Sequence, residues 1–426
     1  MRELNRLGIT SCIDAGGGFQ NYPEDYEIVR QLHDRGELTV RIAYNLFTQK
    51  PKGEKDDFAR WMRMTKPGEG DPFFRVNGAG EMLVFSAADF EDFLEPRPDL
   101  PPNMESELEE VVTMLASNRW PFRLNATYDE SITRFLDVFE RVNRAAPLHD
   151  LHWFLDHCET ISDRNIDRLR ALGGGIAIQH RMAFQGEYFV DRYGAKAAER
   201  TPPIRRMLDM GVPVGAGTDA TRVANYNPFN SLYWLVSGRT CGGLELYPEK
   251  NRLSREETLR LYTSGSAWFS GEQAQKGTLA VGQYADLAVL TEDYFNVPEE
   301  RIRDLESVLT MVNGKPVYAT SDFADLAPPA LPVMPDWSPV AKFGGYGAPY
   351  YQRIAELHGH IHTATCGILH KPHSRTGLTQ LWGSGCDCFA FYFWVSFNSP
   401  ASPSLTMAMN SRAEVSGVFN SCDRVW

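Results

Sequence analysis

Residues 151–180 read LHWFLDHCETISDRNIDRLRALGGGIAIQH, and this stretch decides the fold class. The apolar runs at 151–155 and 176–178 have the length and composition of buried strands. Between them, Ser162 can cap a helix whose apolar residues recur at helical spacing, and three glycines at 173–175 end it. A strand, a helix and a second strand in this order predict a parallel βαβ unit, because parallel neighbours need a crossover connection.

The same alternation continues on both sides of this unit. Further strands are predicted at residues 7–14, 38–46, 73–76, 119–124 and 212–217, and further helices at 26–32, at 129–142 and from 201 to Gly211. Repeated βαβ units build either a closed (β/α) barrel or an open sheet with helices on both faces. In both folds, the residues that follow the carboxyl ends of the strands meet at one edge. The residues therefore predict an α/β protein with its site at that edge.

Composition narrows the class of protein. The 426 residues carry a formal net charge of -12, which disfavours a nucleic-acid partner because phosphate binding needs a basic surface. No apolar run approaches the roughly 20 residues of a membrane span, and the first residues lack the apolar core of a signal peptide. Seven cysteines in so long a chain do not suggest a disulfide framework. We predict a cytoplasmic protein without a nucleic-acid or membrane partner, and leave a homo-oligomer open.

The last part of the chain differs from the rest. Residues 276–290 predict short strands, and Asn313 with Gly314 forms a strong hairpin signal between two apolar runs. We therefore predict a small β module over residues 276–322. Residues 323–426 are predicted to form a proline-rich arm and a tail rich in His and Cys, whose spacing fits no standard zinc fold.

Polar and reactive side chains follow the predicted strands where each strand ends. Because the carboxyl ends of parallel strands converge, we expect these side chains to lie close together. The candidate site residues are Asn125, Tyr128, His157, Gln179, His180, Arg181, Asp219 and Arg222.

His157 and Asp219 carry the sharpest chemical signal in this set. Neutral imidazole and carboxylate are preferred ligands of Zn²⁺, and a carboxylate beside an activated water can act as its general base. The competing interpretation is that a single histidine at a strand end is structural. Cys158 follows His157 and points to the opposite face of an extended strand, so we expect it to pack in the core.

A different class of function is suggested by residues 215–220. Their sequence GAGTDA formally fits the dinucleotide motif G-x-G-x-x-A after a strand. However, the residues that follow show no helical pattern and soon meet Pro228, and this motif normally belongs to the first βα unit. A nicotinamide oxidoreductase is thus a minor alternative, which predicts that NAD raises the thermal stability of the protein.

Four segments carry a family resemblance: residues 7–10 (LGIT), 154–159 (FLDHCE), 217–219 (GTD) and 276–290 (KGTLAVGQYADLAVL). On these segments the chain resembles the amidohydrolase superfamily, and within it the amidohydrolase 3 branch with its N-substituted formamide deformylase-like proteins. The resemblance implies a (β/α)8 TIM-type barrel with a small composite β-sandwich. It also implies a divalent metal, usually zinc, that activates water for attack on a carbonyl carbon.

The ligand set that the resemblance implies is matched only in part. His157 matches the histidine of strand six, and Asp219 matches the aspartate of strand eight, which also shuttles a proton. Arg75 stands where strand four should offer a lysine, and a guanidinium cannot be carbamylated to bridge two metals. Asn125 stands where strand five has a histidine and would be a weak ligand. Strand one with its His-x-His is expected to be absent, because the chain starts near strand two.

Two functions from different classes follow. The first is a metal-dependent hydrolase that cleaves a non-peptide C–N bond of a small molecule. It would hold at most one ion, zinc before other divalent metals, on His157, Asp219 and Asn125, with Asp219 as the general base. Tyr128, Gln179, His180, Arg181 and Arg222 would bind the substrate. The second is a truncated or catalytically impaired homologue, whose barrel over residues 1–275 binds a ligand or a partner.

Overall fold

The computed structural model describes residues 1–16, 21–48, 50–89, 93, 97–220 and 224–329. All of them belong to one unit, Met1–Lys371. Within the described residues, seven parallel strands follow one another: β1 (Ser11–Asp14), β2 (Arg41–Leu46), β3 (Phe74–Ala79), β4 (Arg123–Ala126), β5 (Phe154–His157), β6 (Gly175–Gln179) and β7 (Val214–Gly217).

These strands are hydrogen-bonded in chain order. One parallel sheet contains β1, β2 and β3, and a second contains β4, β5, β6 and β7. A bridge between Ala79 and Phe122 joins the two sheets, and the Asn125 N–H donates to the Glu81 carbonyl over 3.1 Å. This is the strand order of a (β/α) barrel, as predicted. Among the described residues no strand pairs β7 with β1, so these hydrogen bonds do not close a ring.

Helices form most of the connections between these strands. They are α1 (Arg2–Arg6), α2 (Glu27–Asp34), α3 (Glu54–Met64), α4 (Met104–Ser117), α5 (Asp129–Asn143), α6 (Asp163–Ala171), α7 (Arg181–Tyr193), α8 (Ala195–Ala198), α9 (Ile204–Asp209), α10 (Pro228–Ser237), α11 (Arg255–Arg260) and α12 (Ser266–Phe269). Ser162 caps α6 as predicted, because its hydroxyl accepts the Asn165 N–H. Asp129 is the first residue of α5 and does not cap that helix. Its carboxylate instead accepts the Ser162 N–H and the Asn165 side chain, which ties α5 to α6.

The core lies between the sheets and the helices. All four residues of β5 are buried, as expected for a parallel strand covered on both faces. Trp153, which precedes β5, stacks on Phe122 at 5.9 Å and meets Phe139 edge-on at 5.0 Å. Each such side chain stabilises the fold by about 1.5–3 kcal/mol through burial. Cys158 is buried in this core, as predicted.

Two glycines let α12 approach the beginnings of the strands closely. A Cβ on Gly175 would lie 2.6 Å from the ring of Trp268, and a Cβ on Gly215 would lie 2.5 Å from the ring of Phe269. Phe269 also packs edge-on against Phe154 at 4.6 Å. Glycine is therefore required at both positions by the close packing of α12 on β6 and β7.

A small antiparallel sheet follows the parallel strands. It contains β8 (Leu287–Leu290), β9 (Ser307–Val312) and β10 (Lys315–Ala319). The predicted hairpin is confirmed: Asn313 and Gly314 connect β9 to β10 with φ of 53° and 73°, as a type I′ turn requires. The prediction of strands throughout 276–290 is wrong before β8, where the chain forms turns held by single bonds such as Tyr284 N–H to the Gln275 carbonyl.

An ion pair attaches this small sheet to the parallel strands. Arg41 of β2 donates to both carboxylate oxygens of Asp286, over 2.6 and 3.0 Å, and both side chains are buried. The Asn313 N–H donates to the same carboxylate, so Asp286 also holds the hairpin. The predicted domain boundaries at 275 and 322 stay predictions. The predicted arm and tail, residues 323–426, lie outside the described part from residue 330 onward. No helix in the described part has the length and apolar character that crossing a bilayer requires.

Candidate active site

Polar side chains gather at the carboxyl ends of β3 to β7, where the sequence predicted a site. We call this set the strand-end cluster: Glu81, Asn125, His157, Glu159, Gln179, Arg181 and Asp219. Its members form three groups in close contact: His157 with Asn125 and Glu81, Glu159 with Gln179, and Arg181 with Asp219. The three groups share one region, because the charge of Asp219 acts on the carboxyl groups of both Glu81 and Glu159.

The backbone adopts a left-handed conformation at His157 and Asp219, the two predicted site residues with the strongest chemical signal. His157, the last residue of β5, has a φ of 75°, Cys158 has 54°, and Asp219 after β7 has 51°. The left-handed region costs a non-glycine residue about 1–3 kcal/mol and is typical of functional sites. This conformation turns the chain sharply at the strand ends, which supports a functional role for His157 and Asp219.

His157 is a neutral imidazole in this site. It is buried, and burial lowers its pKa to about 4. Its Nε2 lies 2.8 Å from Nδ2 of Asn125, so the amide donates and the imidazole accepts. Its Nδ1 has no hydrogen-bond partner among the described residues. The imidazole can therefore offer one N–H to a bound molecule.

Glu81 is a site residue that the sequence analysis missed. It lies two residues after the end of β3, is 8% exposed, and brings Oε2 to 3.9 Å from Nε2 of His157. Burial and the negative charge of Asp156 raise its pKa to about 8. Glu81 is thus protonated near pH 7, and its approach to the neutral His157 is not an ion pair. A buried carboxylic acid of this kind can donate a proton at neutral pH.

Arg75, which the sequence placed at the strand-four position, lies elsewhere. It stands near the beginning of β3, where its guanidinium donates to the Ser270 carbonyl and lies 3.2 Å from Glu272. Its side chain therefore contacts the residues that follow α12. The end of the same strand supplies Glu81 instead.

A buried ion pair lies beside the strand-end cluster. Arg123 of β4 donates two hydrogen bonds, both of 2.7 Å, to the carboxylate of Asp156 in β5. This bidentate geometry is the strongest form of the guanidinium–carboxylate contact. The pair occupies Arg123, so it is not free to bind a substrate anion.

Glu159 and Gln179 form the second contact of the cluster. Nε2 of Gln179 donates to Oε1 of Glu159 over 2.9 Å, and both side chains are almost fully buried. Burial raises the pKa of Glu159 to about 8, and the charges of Asp219 and Asp89 act in the same direction. Glu159 is not among the candidate site residues that the sequence predicted.

Asp219 and Arg181 form the third contact. Oδ2 of Asp219 lies 4.0 Å from Nη2 of Arg181, and the Asp219 side chain is 30% exposed. Burial lowers the pKa of Arg181 to about 10, so the guanidinium keeps its charge near pH 7. Asp219 is therefore the member of the cluster that is most open to water, next to a fixed positive charge.

Three predicted site residues remain: Tyr128, His180 and Arg222. Tyr128 is buried, its N–H donates to Asp89, and the guanidinium of Arg97 lies 4.7 Å from its ring. His180 is buried against Phe184 at 5.0 Å, and burial lowers its pKa to about 3. Arg222 lies outside the described residues.

A zinc ion does not fit the predicted ligands in this arrangement. Catalytic zinc takes about three protein ligands, with Zn–N distances of about 2.0–2.1 Å. The described residues contain no group of three or more His, Cys, Asp and Glu side chains that could hold a metal ion. The Asn125 amide also donates to Nε2 of His157, so this nitrogen is not available to a metal while the bond is made.

Comparisons with known proteins agree with this architecture. The sequence profile described as the amidohydrolase family (Amidohydro_3) matches residues 1–318. The N-substituted formamide deformylase of Arthrobacter pascens is 29% identical over 181 residues, which are 42% of this chain and 33% of that protein. The chain thus spans about a third of the length of this curated relative.

Two solved structures share the fold. An uncharacterised metal-dependent hydrolase from Pyrococcus horikoshii OT3 aligns with a TM-score of 0.54 and 18% identity, covering 70% of this chain and 59% of that one. A mutant atrazine chlorohydrolase from Arthrobacter aurescens TC1, complexed with zinc and atraton, aligns with a TM-score of 0.50 and 17% identity, covering 75% and 72%. At these identities the likeness concerns the fold.

Proposed function

This chain belongs to the amidohydrolase family, and we propose on that basis that it is a hydrolase that cleaves the non-peptide C–N bond of a small amide-like molecule. The observation that carries the proposal is the strand-end cluster. It combines a carboxylic acid that is protonated at neutral pH, a neutral imidazole and a water-accessible carboxylate at the carboxyl ends of neighbouring strands. Proton donors and acceptors with separated pKa values are what acid–base hydrolysis requires.

Each of these groups has a role in the proposed reaction. Asp219 takes a proton from the water that attacks the carbonyl carbon. The free N–H of His157 donates a hydrogen bond to the carbonyl oxygen as negative charge develops there. Glu81 then gives its proton to the nitrogen that leaves, and the C–N bond breaks to release an acid and an amine. Tyr128, Gln179, His180, Arg181 and Arg222 are the proposed substrate-binding residues.

The metal is a separate part of the proposal. Members of this family use a divalent ion, which activates the attacking water when it is bound. For this chain we propose at most one ion, zinc, with His157, Asp219 and Asn125 as its ligands. The described residues do not fit the ion as they stand, so no step above runs through it. Elemental analysis of protein prepared without chelators tests this part alone.

Hydrolysis itself is tested with a panel of N-substituted formamides and other small amides. We expect the full chain to release amine from at least one of them, because the curated relative is an N-substituted formamide deformylase. Amine release is measured with an amine-reactive fluorophore, in parallel with and without added Zn²⁺. No release from any member of the panel under either condition would refute the proposal.

The second candidate is a homologue that binds a ligand or partner without catalysis. It is favoured by the hydrogen bond that Asn125 donates to His157, because this bond occupies Nε2 of the imidazole. Replacing Asn125→His would put a third ligating side chain beside His157 and Glu81. If wild type has neither zinc nor activity while this variant binds zinc in near-stoichiometric amount, the impaired homologue is the better account. The cytoplasmic location, a homo-oligomer and the lack of a nucleic-acid partner stay predictions.

A further inference from the structure

Arg97 places its guanidinium against two tyrosine rings and one carboxylate. Its Cζ lies 4.7 Å from the ring centre of Tyr128 and 5.0 Å from the ring centre of Tyr193. Its Nη1 donates to both carboxylate oxygens of Glu130, over 2.6 and 2.8 Å. A guanidinium is planar, so it can stack on aromatic faces while its N–H groups bind a carboxylate. Arg97 therefore makes three separate attachments with one side chain.

These attachments join two helices that begin at the strand ends. Tyr128 directly precedes α5 and Glu130 is its second residue, whereas Tyr193 is the last residue of α7. Tyr193 is also held from within α7, because the ring of Phe189 lies 4.7 Å from it. Arg97 thus ties the beginning of α5 to a fixed ring at the end of α7.

Tyr128 lies at the edge of the strand-end cluster. Its N–H donates to Asp89 over 3.0 Å, and the neighbouring Thr127 carbonyl accepts the Thr160 N–H over 3.1 Å. These bonds fix the backbone where the loops after β4 and β5 meet, whereas the contact with Arg97 acts on the tyrosine ring itself. The Arg97 side chain is 33% exposed and Tyr128 is 1% exposed. The guanidinium therefore covers a ring face that would otherwise be open to water.

We propose that Arg97 is a positioning residue of the proposed active site. Its guanidinium, held by Tyr193 and Glu130, sets the orientation in which the Tyr128 ring meets the substrate. The assignment rests on the proposed substrate-binding role of Tyr128. It requires a planar cation, because the ammonium of a lysine is a compact point charge that cannot stack on a ring. The orientation of the ring can nevertheless be followed without turnover.

Fluorine NMR of the full chain, labelled with fluorotyrosine, reports on this ring. The Tyr128 signal is the one that is missing from Tyr128→Phe. We expect Arg97→Ala to shift and broaden this signal, because the ring loses the cation that holds it. The matched control is Arg192→Ala, which removes another guanidinium 5.7 Å from the Tyr193 ring centre and should leave the Tyr128 signal in place. A Tyr128 signal that is unchanged in Arg97→Ala, or that moves equally in both variants, would overturn the proposal.

Chemical rescue separates the guanidinium from the rest of the side chain. Methylguanidinium, added to Arg97→Ala below the concentration that unfolds it, should return the Tyr128 signal towards its wild-type position, and methylammonium should not. Arg97→Lys provides a second route if Arg97→Ala does not fold, and its Tyr128 signal should stay displaced. Equal rescue by the two cations, no rescue by methylguanidinium, or a wild-type signal in Arg97→Lys would contradict the role of a planar cation.

Kinetics then connect the ring to the substrate. On the best amide of the panel, Arg97→Ala should raise KM about tenfold and change kcat by less than about threefold, because a misplaced binding residue weakens ground state and transition state alike. A merely structural role would reduce the folded fraction, which lowers kcat and leaves KM unchanged; that result would overturn the assignment. If the Tyr128 signal responds as expected but no amide is hydrolysed, the positioning of the ring stands and the proposed hydrolase activity fails.

Discussion

At the scale of single residues, the site combines strain with unusual protonation. His157 and Asp219 hold the backbone in the left-handed region, and Glu81 keeps its proton at neutral pH because of burial and the charge of Asp156. Folding alone gains nothing from these features. They are consistent with a site arranged for proton transfer at the ends of β3, β5 and β7.

Asp219 provides the first prediction at this scale. If it is the general base, Asp219→Asn should lower the hydrolysis rate by about 10²- to 10⁴-fold. Its side chain is 30% exposed, so the unfolding midpoint in urea should change little. Rates are measured on the best amide of the panel. The matched control is Asp209→Asn, an exposed residue at the end of α9, which should keep the wild-type rate. A variant at position 219 that retains that rate would remove Asp219 from the mechanism.

Asp89 provides a prediction about pH. Its carboxylate accepts the N–H groups of Thr127 and Tyr128 over 2.7 and 3.0 Å, yet burial raises its pKa to about 7. The pKa of an unfolded aspartate is about 3.9. The folded state therefore holds this proton more tightly. Its stabilising contribution is complete below about pH 4 and is lost as the pH rises to about 7.

The variant Asp89→Asn does not titrate and isolates this effect. We expect the free energy of unfolding of wild type, relative to Asp89→Asn, to fall between about pH 4 and pH 7 and then to level off. Urea unfolding across this pH range gives the difference directly. A difference that stays constant, or that grows with pH, would show that folding does not raise the pKa of this carboxyl group.

How much of the site the sequence predicted depends on where each strand was expected to end. Asn125 and His157 were expected to lie close together because they stand at the carboxyl ends of neighbouring predicted strands, and their side chains lie 2.8 Å apart. Glu81 was missed because the predicted strand stopped at residue 76, whereas β3 continues to Ala79. The residue predicted at the strand-four position was Arg75, whose side chain contacts Glu272 instead. Protonation states depend on burial by distant residues and could not be read from the sequence.

At the scale of elements, β7 offers a matched pair of glycines. A Cβ at Gly215 would lie 2.5 Å from the Phe269 ring, whereas nothing lies within 4 Å of a Cβ at Gly217. We expect Gly215→Ala to lower the free energy of unfolding by about 1–3 kcal/mol through overpacking. Gly217→Ala should cause no loss. Urea unfolding of both variants measures this, and equal effects would mean that α12 does not pack on β7 as described.

The alternation of strands and helices was predictable because it depends on local sequence signals, namely apolar runs, caps and glycines. The hairpin at Asn313 and Gly314 is likewise a local signal. Residues 276–285 have a sequence typical of short strands but form no strand. A strand needs a partner strand to pair with, and the local sequence pattern does not reveal that partner. The position of α12 against Gly175 and Gly215 is set by tertiary packing and was not predicted.

At the scale of the whole molecule, one ion pair links the parallel strands to the small sheet. Removing Asp286 would leave the buried Arg41 unpaired and would free the Asn313 N–H. We expect Asp286→Ala to lower the free energy of unfolding by about 3–5 kcal/mol. The control Asp322→Ala, at an exposed position after β10, should stay within about 0.5 kcal/mol of wild type. Equal stability of the two variants would show that Arg41 and Asp286 do not join the two parts.

Family membership was the part of the whole that the sequence predicted best, because four short segments carry it. Activity could not be predicted in the same way, because this chain spans only 33% of the length of a curated relative. Activity depends on how the strand-end cluster meets water and substrate. That question is answered by chemistry at Asp219, His157 and Glu81.

The most direct test of the account follows oxygen during the reaction. The full chain is incubated in H₂¹⁸O with the amide of the panel that it turns over, and the products are weighed by mass spectrometry. Attack of water on the carbonyl carbon with C–N cleavage predicts one ¹⁸O in the released acid, none in the amine, and loss of both products in Asp219→Asn. An unlabelled acid, or amine release that is the same in wild type and Asp219→Asn, would contradict the central claim.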